Sequence, residues 1–241
     1  MFNRLVVLAF VTVFALGGTH SASADPTKCK QGIAKASAKY VQGRTKVFQK
    51  CEGAKAKGQL TPATVCASDA KTVTIVAVLD GKLAASIAKA CGGNDKTCGT
   101  VDDDPLASIQ WGGITTCPDF ESLGCTNPIT NCTGISTCIR CIDAAAVDQA
   151  ITLYYGAMVT SEFGTSSAVN KCQQAIGKST TKFLSARSKA LQKCWDGRLK
   201  AAHANPCPTP GDGKAGPSIA KADAKKISTI CKACGGSDKL C

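Results

Sequence analysis

Histidine is nearly absent from this chain, which restricts the catalytic chemistry open to it. The 241 residues include two histidines, and only His203 lies outside the N-terminal leader described below. A Ser–His or Cys–His nucleophile system would have to use it. Because His203 stands where a predicted helix enters a proline-rich loop, we interpret it as a surface histidine. Glutamate occurs after the leader only as Glu52, Glu121 and Glu162, which argues against a paired-carboxylate hydrolase.

Long apolar runs are also missing beyond the first 24 residues. Residues 1–24 combine a charged start at Arg4, an apolar run from Leu5 to Leu16 and the cleavage motif Ala22-Ser23-Ala24, which together predict a signal peptide. The best later run, Val73 to Leu79, is much shorter than the roughly 20 residues that a spanning helix needs. We therefore expect a soluble exported protein, periplasmic or extracellular.

Cysteine, in contrast, is abundant. All 16 cysteines follow the leader, and an even, dense set in an exported chain favours disulfides over a thiolate metal site. Aromatic residues make up only 5% of the chain, so its core has few large side chains and needs covalent support. We predict no metal and no cofactor.

The cysteine frame occurs twice, and the second copy lies 143 positions after the first. The segment Ile87–Cys98 is repeated almost letter for letter as Ile230–Cys241, and several basic residues keep the same offset. We interpret this as a duplicated unit. The corresponding cysteines are Cys29, Cys51, Cys91 and Cys98 in the first copy and Cys172, Cys194, Cys234 and Cys241 in the second.

Each copy predicts two antiparallel helices. Between Cys29 and Cys51, Ile33, Tyr40 and Val47 recur every seven positions on one helical face. The sequence Thr61-Pro62 predicts the start of the partner helix. The helices have near-equal predicted lengths, roughly 33 and 37 Å, so cysteines at their ends should meet. The predicted disulfides are Cys29–Cys91, Cys51–Cys66, Cys172–Cys234 and Cys194–Cys207.

These patterns predict an all-α, disulfide-rich fold of two homologous antiparallel helical hairpins. Residues 25–98 and 172–241 form the hairpins, and 99–171 form an acidic, Cys-rich connector with one short helix over Asp143–Tyr155. The hairpin segments are strongly basic, whereas residues 99–171 hold 2 Lys/Arg against 8 Asp/Glu. We expect a Cys98–Cys117 bond and further bonds from the connector to both hairpins. The cysteines left without an assigned partner are Cys125, Cys132, Cys138, Cys141, Cys231 and Cys241.

Three stretches together resemble a loose group of uncharacterised exported bacterial proteins with repeated Cys/Lys/Ala-rich helices. They are Ile87–Cys98, Leu191–Cys194 and Gly124–Pro128. The likeness covers nearly the whole mature chain. It implies export and a repeated helical build, and it implies no activity.

Two Cys-x-x-Cys pairs offer an alternative, enzymatic interpretation. The pair Cys138/Cys141 precedes a predicted helix, so a thiol–disulfide oxidoreductase is one alternative. The pair Cys231/Cys234 ends a helix, and Cys234 is already assigned to a hairpin disulfide. No βαβ pattern accompanies either pair, and neither is followed by the histidine of a haem-attachment motif. We prefer structural disulfides.

Asp102, Asp103 and Asp104 are consecutive carboxylates that suit calcium in their chemistry. Their spacing is not that of an EF-hand loop, so we interpret them as a solvated acidic turn.

The lysines suggest the main functional hypothesis. They form a first lysine face (Lys35, Lys39, Lys46, Lys50) and a second lysine face (Lys178, Lys182, Lys189, Lys193). We predict a non-catalytic structural or binding protein that contacts anionic polysaccharide, lipopolysaccharide or another polyanion through these faces. Neither face has aromatic residues for base stacking, which argues against sequence-specific nucleic-acid recognition. A carrier of a small apolar ligand between the hairpins is a further alternative.

Overall fold

The structure, a computed structural model, describes residues 25–241, which form five α-helices and no β-strand. The all-α, disulfide-rich class is therefore confirmed, whereas the predicted signal peptide lies outside the described residues. None of these helices has both the length and the apolar character needed to cross a bilayer. The helices are α1 (Pro26–Ala56), α2 (Ala70–Cys91), α3 (Cys132–Tyr155), α4 (Ala168–Leu199) and α5 (Ala215–Cys234).

Side-chain caps set where several of the helices begin. The carboxylate of Asp25 accepts hydrogen bonds from the N–H groups of Thr27 and Lys28 and starts α1. The predicted start of the second helix at Thr61-Pro62 is wrong, because those residues form a turn and Asp69 caps α2. The connector helix begins eleven residues earlier than the predicted Asp143, since Asn131 caps it through its side-chain oxygen.

All 16 cysteines are bonded in eight disulfides. The outer disulfides, Cys29–Cys91 and Cys172–Cys234, join the start of one helix to the end of the next. The inner disulfides, Cys51–Cys66 and Cys194–Cys207, lie near the turns. These are the four pairs that the duplicated frame predicts, and they make α1 antiparallel to α2 and α4 antiparallel to α5.

The remaining bonds differ from the prediction. Cys98 is bonded to Cys132, and Cys117 to Cys138, so the expected Cys98–Cys117 bond is wrong. The turn that the connector makes before α3 brings the start of that helix, and not Cys117, next to Cys98. No disulfide joins the connector to α4 or α5, because Cys231 is bonded to Cys241 within the last segment. The eighth bond is Cys125–Cys141.

The helix α1 packs against three other helices, α2, α3 and α4. Its face around Ile33 and Tyr40 packs with α2, the connector and the start of α3. Phe48, nearer its end, packs with Val147 and Tyr155 of α3. The acidic connector thus lies against α1 and α2.

The two disulfides that join α1 to the α2 segment allow a direct stability test. Replacing Cys29 and Cys91 by alanine should lower the free energy of unfolding by about 4 kcal/mol, because this bond closes a chain separation of 62 residues. Replacing Cys51 and Cys66, 15 residues apart, should cost about 3 kcal/mol. Urea denaturation measures both. A loss below about 1 kcal/mol for either pair would contradict this account.

A buried carboxyl on α3 predicts how stability varies with pH. Burial raises the pKa of Asp143 to about 7, and a hydrogen bond with Ser37 of α1 partly opposes this rise. Between about pH 4 and pH 7 the unfolded chain has lost a proton that the folded chain retains. The free energy of unfolding should therefore fall as pH rises through this window and level off above it.

The variant Asp143→Asn should remove this pH-dependent loss and be more stable than the parent at pH 8. The matched control is Asp148→Asn on the same helix. It should be less stable at pH 8, because Arg44 donates three charge-assisted hydrogen bonds to Asp148. Denaturant titration from pH 4 to pH 8 checks both; a parent-like slope in Asp143→Asn would refute the assignment.

Candidate anion-binding groove between α4 and α5

The structure places all eight lysines of the two lysine faces at the surface. Lys35, Lys39, Lys46 and Lys50 are exposed along α1, and their counterparts are exposed along α4. Within residues 25–241, none of the eight takes part in an ion pair. The connector's carboxylates therefore do not neutralise the lysine faces through direct contacts. The lysines of the second face are Lys178, Lys182, Lys189 and Lys193.

The second lysine face meets further lysines across a groove. Where α4 packs against α5, Lys178 and Lys182 line the same cavity as Lys225 and Lys226. The cavity has a volume of about 340 Å³. We call this set, together with Phe183, the basic groove. It brings cationic side chains from two helices together around one concave surface.

The floor of the basic groove is apolar. Phe183 lies partly buried between the helices, and the ammonium group of Lys226 lies 4.5 Å from the centre of its ring. Asp223, one turn earlier on α5, forms an ion pair with Lys226. Lys178, Lys182 and Lys225 have no such partner among the described residues. Three unpaired ammonium groups thus surround an apolar base.

The first copy is packed differently at the position that corresponds to the basic groove. The residue 143 positions before Phe183 is Tyr40, which is buried and donates a hydrogen bond to Asp80 at 2.7 Å. The counterpart of Lys226 is Leu83, which is buried in the same apolar cluster as Tyr40. A leucine fills the core at this position in one copy, whereas a lysine occupies it in the other.

Sequence reasoning assigned Lys178 and Lys182 to this surface and missed Lys225 and Lys226. The available signal was the replacement of Leu83 by Lys226 between copies that otherwise keep their frame. The remaining lysines of the second face, Lys189 and Lys193, do not line the groove. The first lysine face is not joined to it either.

The proposed redox pair is not a disulfide. Cys138 is bonded to Cys117, and Cys141 to Cys125. Cys138 is completely buried, and both cysteines lie inside α3 and not ahead of it. The second pair is likewise divided, since Cys231 and Cys234 have different partners. Neither Cys-x-x-Cys pair therefore forms the internal disulfide that a thiol–disulfide exchange mechanism uses.

His203 is not the surface residue that the sequence suggested. It is half-buried, and its Nε2 lies 3.0 Å from the carbonyl oxygen of Cys194. The ligand atoms of Cys194, His203 and Cys207 lie within 4.8 Å of one another, a spacing that a metal could bridge. The sulfurs of Cys194 and Cys207 are bonded to each other, however, so neither is a thiolate that could bind zinc. His203 instead packs the helix end against the loop.

The comparisons with known proteins give no assignment. No family model matches the chain, and neither a curated protein nor a solved structure matches it.

Proposed function

We propose that this chain is an exported, non-catalytic binding protein that contacts anionic polymers or anionic surfaces through its lysine faces. Acidic polysaccharide and lipopolysaccharide are the partners that suit this chemistry. The observation that carries the proposal is the basic groove, where lysines from α4 and α5 converge. Unpaired ammonium groups attract polyanions at long range and release bound counterions on contact.

The groove is a better contact than the remaining lysine surface for two reasons. Its ammonium groups come from two helices that the Cys172–Cys234 bond joins covalently. The helices are therefore already fixed relative to each other, and binding costs little additional conformational entropy. Its floor at Phe183 also offers apolar contact to the hydrocarbon part of a ligand. Along α1, Lys50 lines a separate and smaller cavity of about 250 Å³, in which Lys71 is the other cationic residue.

A non-catalytic role fits the chemistry of the described residues. Their single histidine contacts a main-chain carbonyl, and every cysteine is in a disulfide. The basic groove contains amines and hydroxyls but no carboxylate pair or thiol. These features support binding and supply no nucleophile with an adjacent base.

A defined polyanion gives a quantitative test. We expect a fluorescently labelled oligo(dT) to bind, with affinity falling as salt rises. The variant Lys178→Gln/Lys182→Gln/Lys225→Gln should lower the slope of log K against log salt by about 2, since each phosphate contact to a single strand contributes about 0.7. Fluorescence anisotropy at several salt concentrations measures it.

The matched control removes the same charge elsewhere, through Lys57→Gln/Lys82→Gln/Lys89→Gln on exposed positions of the first copy. Its slope should change by less than about 1. Equal losses in both variants would show that net charge alone attracts the polymer, and the groove proposal would fail. Absence of binding by the parent protein at low salt would refute polyanion contact altogether.

One further observation favours the apolar-carrier alternative. Where α1 faces α4, a cavity of about 370 Å³ is lined largely by apolar residues, among them Val41, Leu184 and Leu191. Trp195 stands at this cavity and is 42% exposed. If an apolar ligand binds here, fatty-acid addition should change Trp195 fluorescence at both low and high salt, whereas polyanion binding disappears at high salt.

A further inference from the structure

The carboxyl side chain of Asp104 is buried in the loop that follows α2, where the loop folds back against the end of that helix. The residue is 4% exposed, and neither carboxyl oxygen has a hydrogen-bond partner. Its main-chain N–H donates to the carbonyl oxygen of Cys91 at 2.8 Å, which holds it against the helix end. An ionised carboxylate without a partner is very costly to bury, so this group must be neutral or compensated by a cation.

The two preceding carboxylates differ from Asp104 because they close the loop. Asp102 accepts a hydrogen bond from the N–H of Asn94 at 2.7 Å, and Asp103 accepts one from the N–H of Gly99 at 2.8 Å. The predicted solvated acidic turn is therefore wrong for Asp104. Loop closure accounts for the first two aspartates and leaves the third without a structural role.

The charges around Asp104 are of the same sign as its own. Burial raises its pKa most, and the negative charges of Asp25 and Asp103 raise it further. Asp104 also takes part in none of the ion pairs of residues 25–241. Asp103 and Asp104 thus lack a positive partner among the described residues, whereas Asp25 pairs with Lys28.

Asp104 lines a small polar cavity that also contains other oxygen-bearing residues. The cavity has a volume of about 300 Å³, and its lining includes Asp103, Thr100 and Thr130. Asn131 also lines it, but its side-chain oxygen already caps α3. From this geometry we propose that the cavity binds a calcium ion, with the Asp104 carboxylate as the principal ligand. Asp103 contributes further negative charge to the site.

Calcium suits this site better than the other common metals. It takes six to eight oxygen ligands in flexible geometry, whereas magnesium requires a near-ideal octahedron. Zinc prefers thiolates and imidazole, and the nearby Cys98 and Cys132 are bonded to each other. Affinities of ~10⁻⁴ to 10⁻³ M are typical of extracellular calcium modules and set the range to search.

The test is a calcium titration of the disulfide-intact protein after removal of metals with EGTA and dialysis. Isothermal titration calorimetry should show one site per chain, and millimolar calcium should raise the thermal unfolding midpoint. The variant Asp104→Asn keeps the size of the side chain and should lower calcium affinity at least ~10- to 100-fold. Even the loss of a residue that only supports a metal ligand typically has an effect of this size. The control Asp95→Asn removes an exposed carboxylate from the same loop and should bind as the parent does.

A second readout guards against a variant that only alters folding. Without calcium, Asp104→Asn should unfold at the same or a higher temperature than the parent, because it removes a buried, like-charged group. Circular dichroism records the midpoint in each case. Absence of calcium binding by the parent at 10 mM (about ten times the weakest expected Kd), or an undiminished calcium response in Asp104→Asn, would overturn the proposal.

Discussion

The outer disulfides are the constraint on which the rest of this fold depends. Cys29–Cys91 and Cys172–Cys234 each join the start of a long helix to the end of its partner, across 62 residues of chain. The described residues bury few large apolar side chains, and Ile87, Ile109 and Ile135 are the largest that are fully enclosed. A core of this size barely offsets the entropy of ordering the chain, so covalent closure supplies the difference.

This covalent support lets residues on the helix surfaces vary between the two copies. Because each helix pair is joined at both ends, the residues between the bonds can change without loss of the pairing. The second copy shows the effect, since Lys226 occupies the position at which Leu83 completes the core of the first. The same exchange that weakens apolar packing creates the basic groove over Phe183. The connector covers α1 instead, where Arg44 pairs with Asp148.

The sequence allowed prediction of features that repeat or that follow from helix geometry. Cysteines at the two ends of antiparallel segments can meet in only one arrangement, so the spacing predicted Cys29–Cys91. The expected near-equal helix lengths are wrong, because α2 begins only at Ala70 and has 22 residues against 31 in α1. The Cys98–Cys132 bond could not be predicted, because the connector occurs once and its turns have no regular geometry from which a cysteine position can be calculated. Burial of Asp104 was equally hidden, since three consecutive aspartates look alike until the loop closes around one of them.

A disulfide map of the protein, purified without reducing agent, tests the central claim most directly. Non-reducing proteolysis and mass spectrometry, with free thiols blocked by alkylation, should find no free cysteine and should recover peptides joining Cys29 to Cys91 and Cys172 to Cys234. Recovery of Cys138 joined to Cys141, or of free thiols at these positions, would contradict the account and return exchange chemistry to consideration.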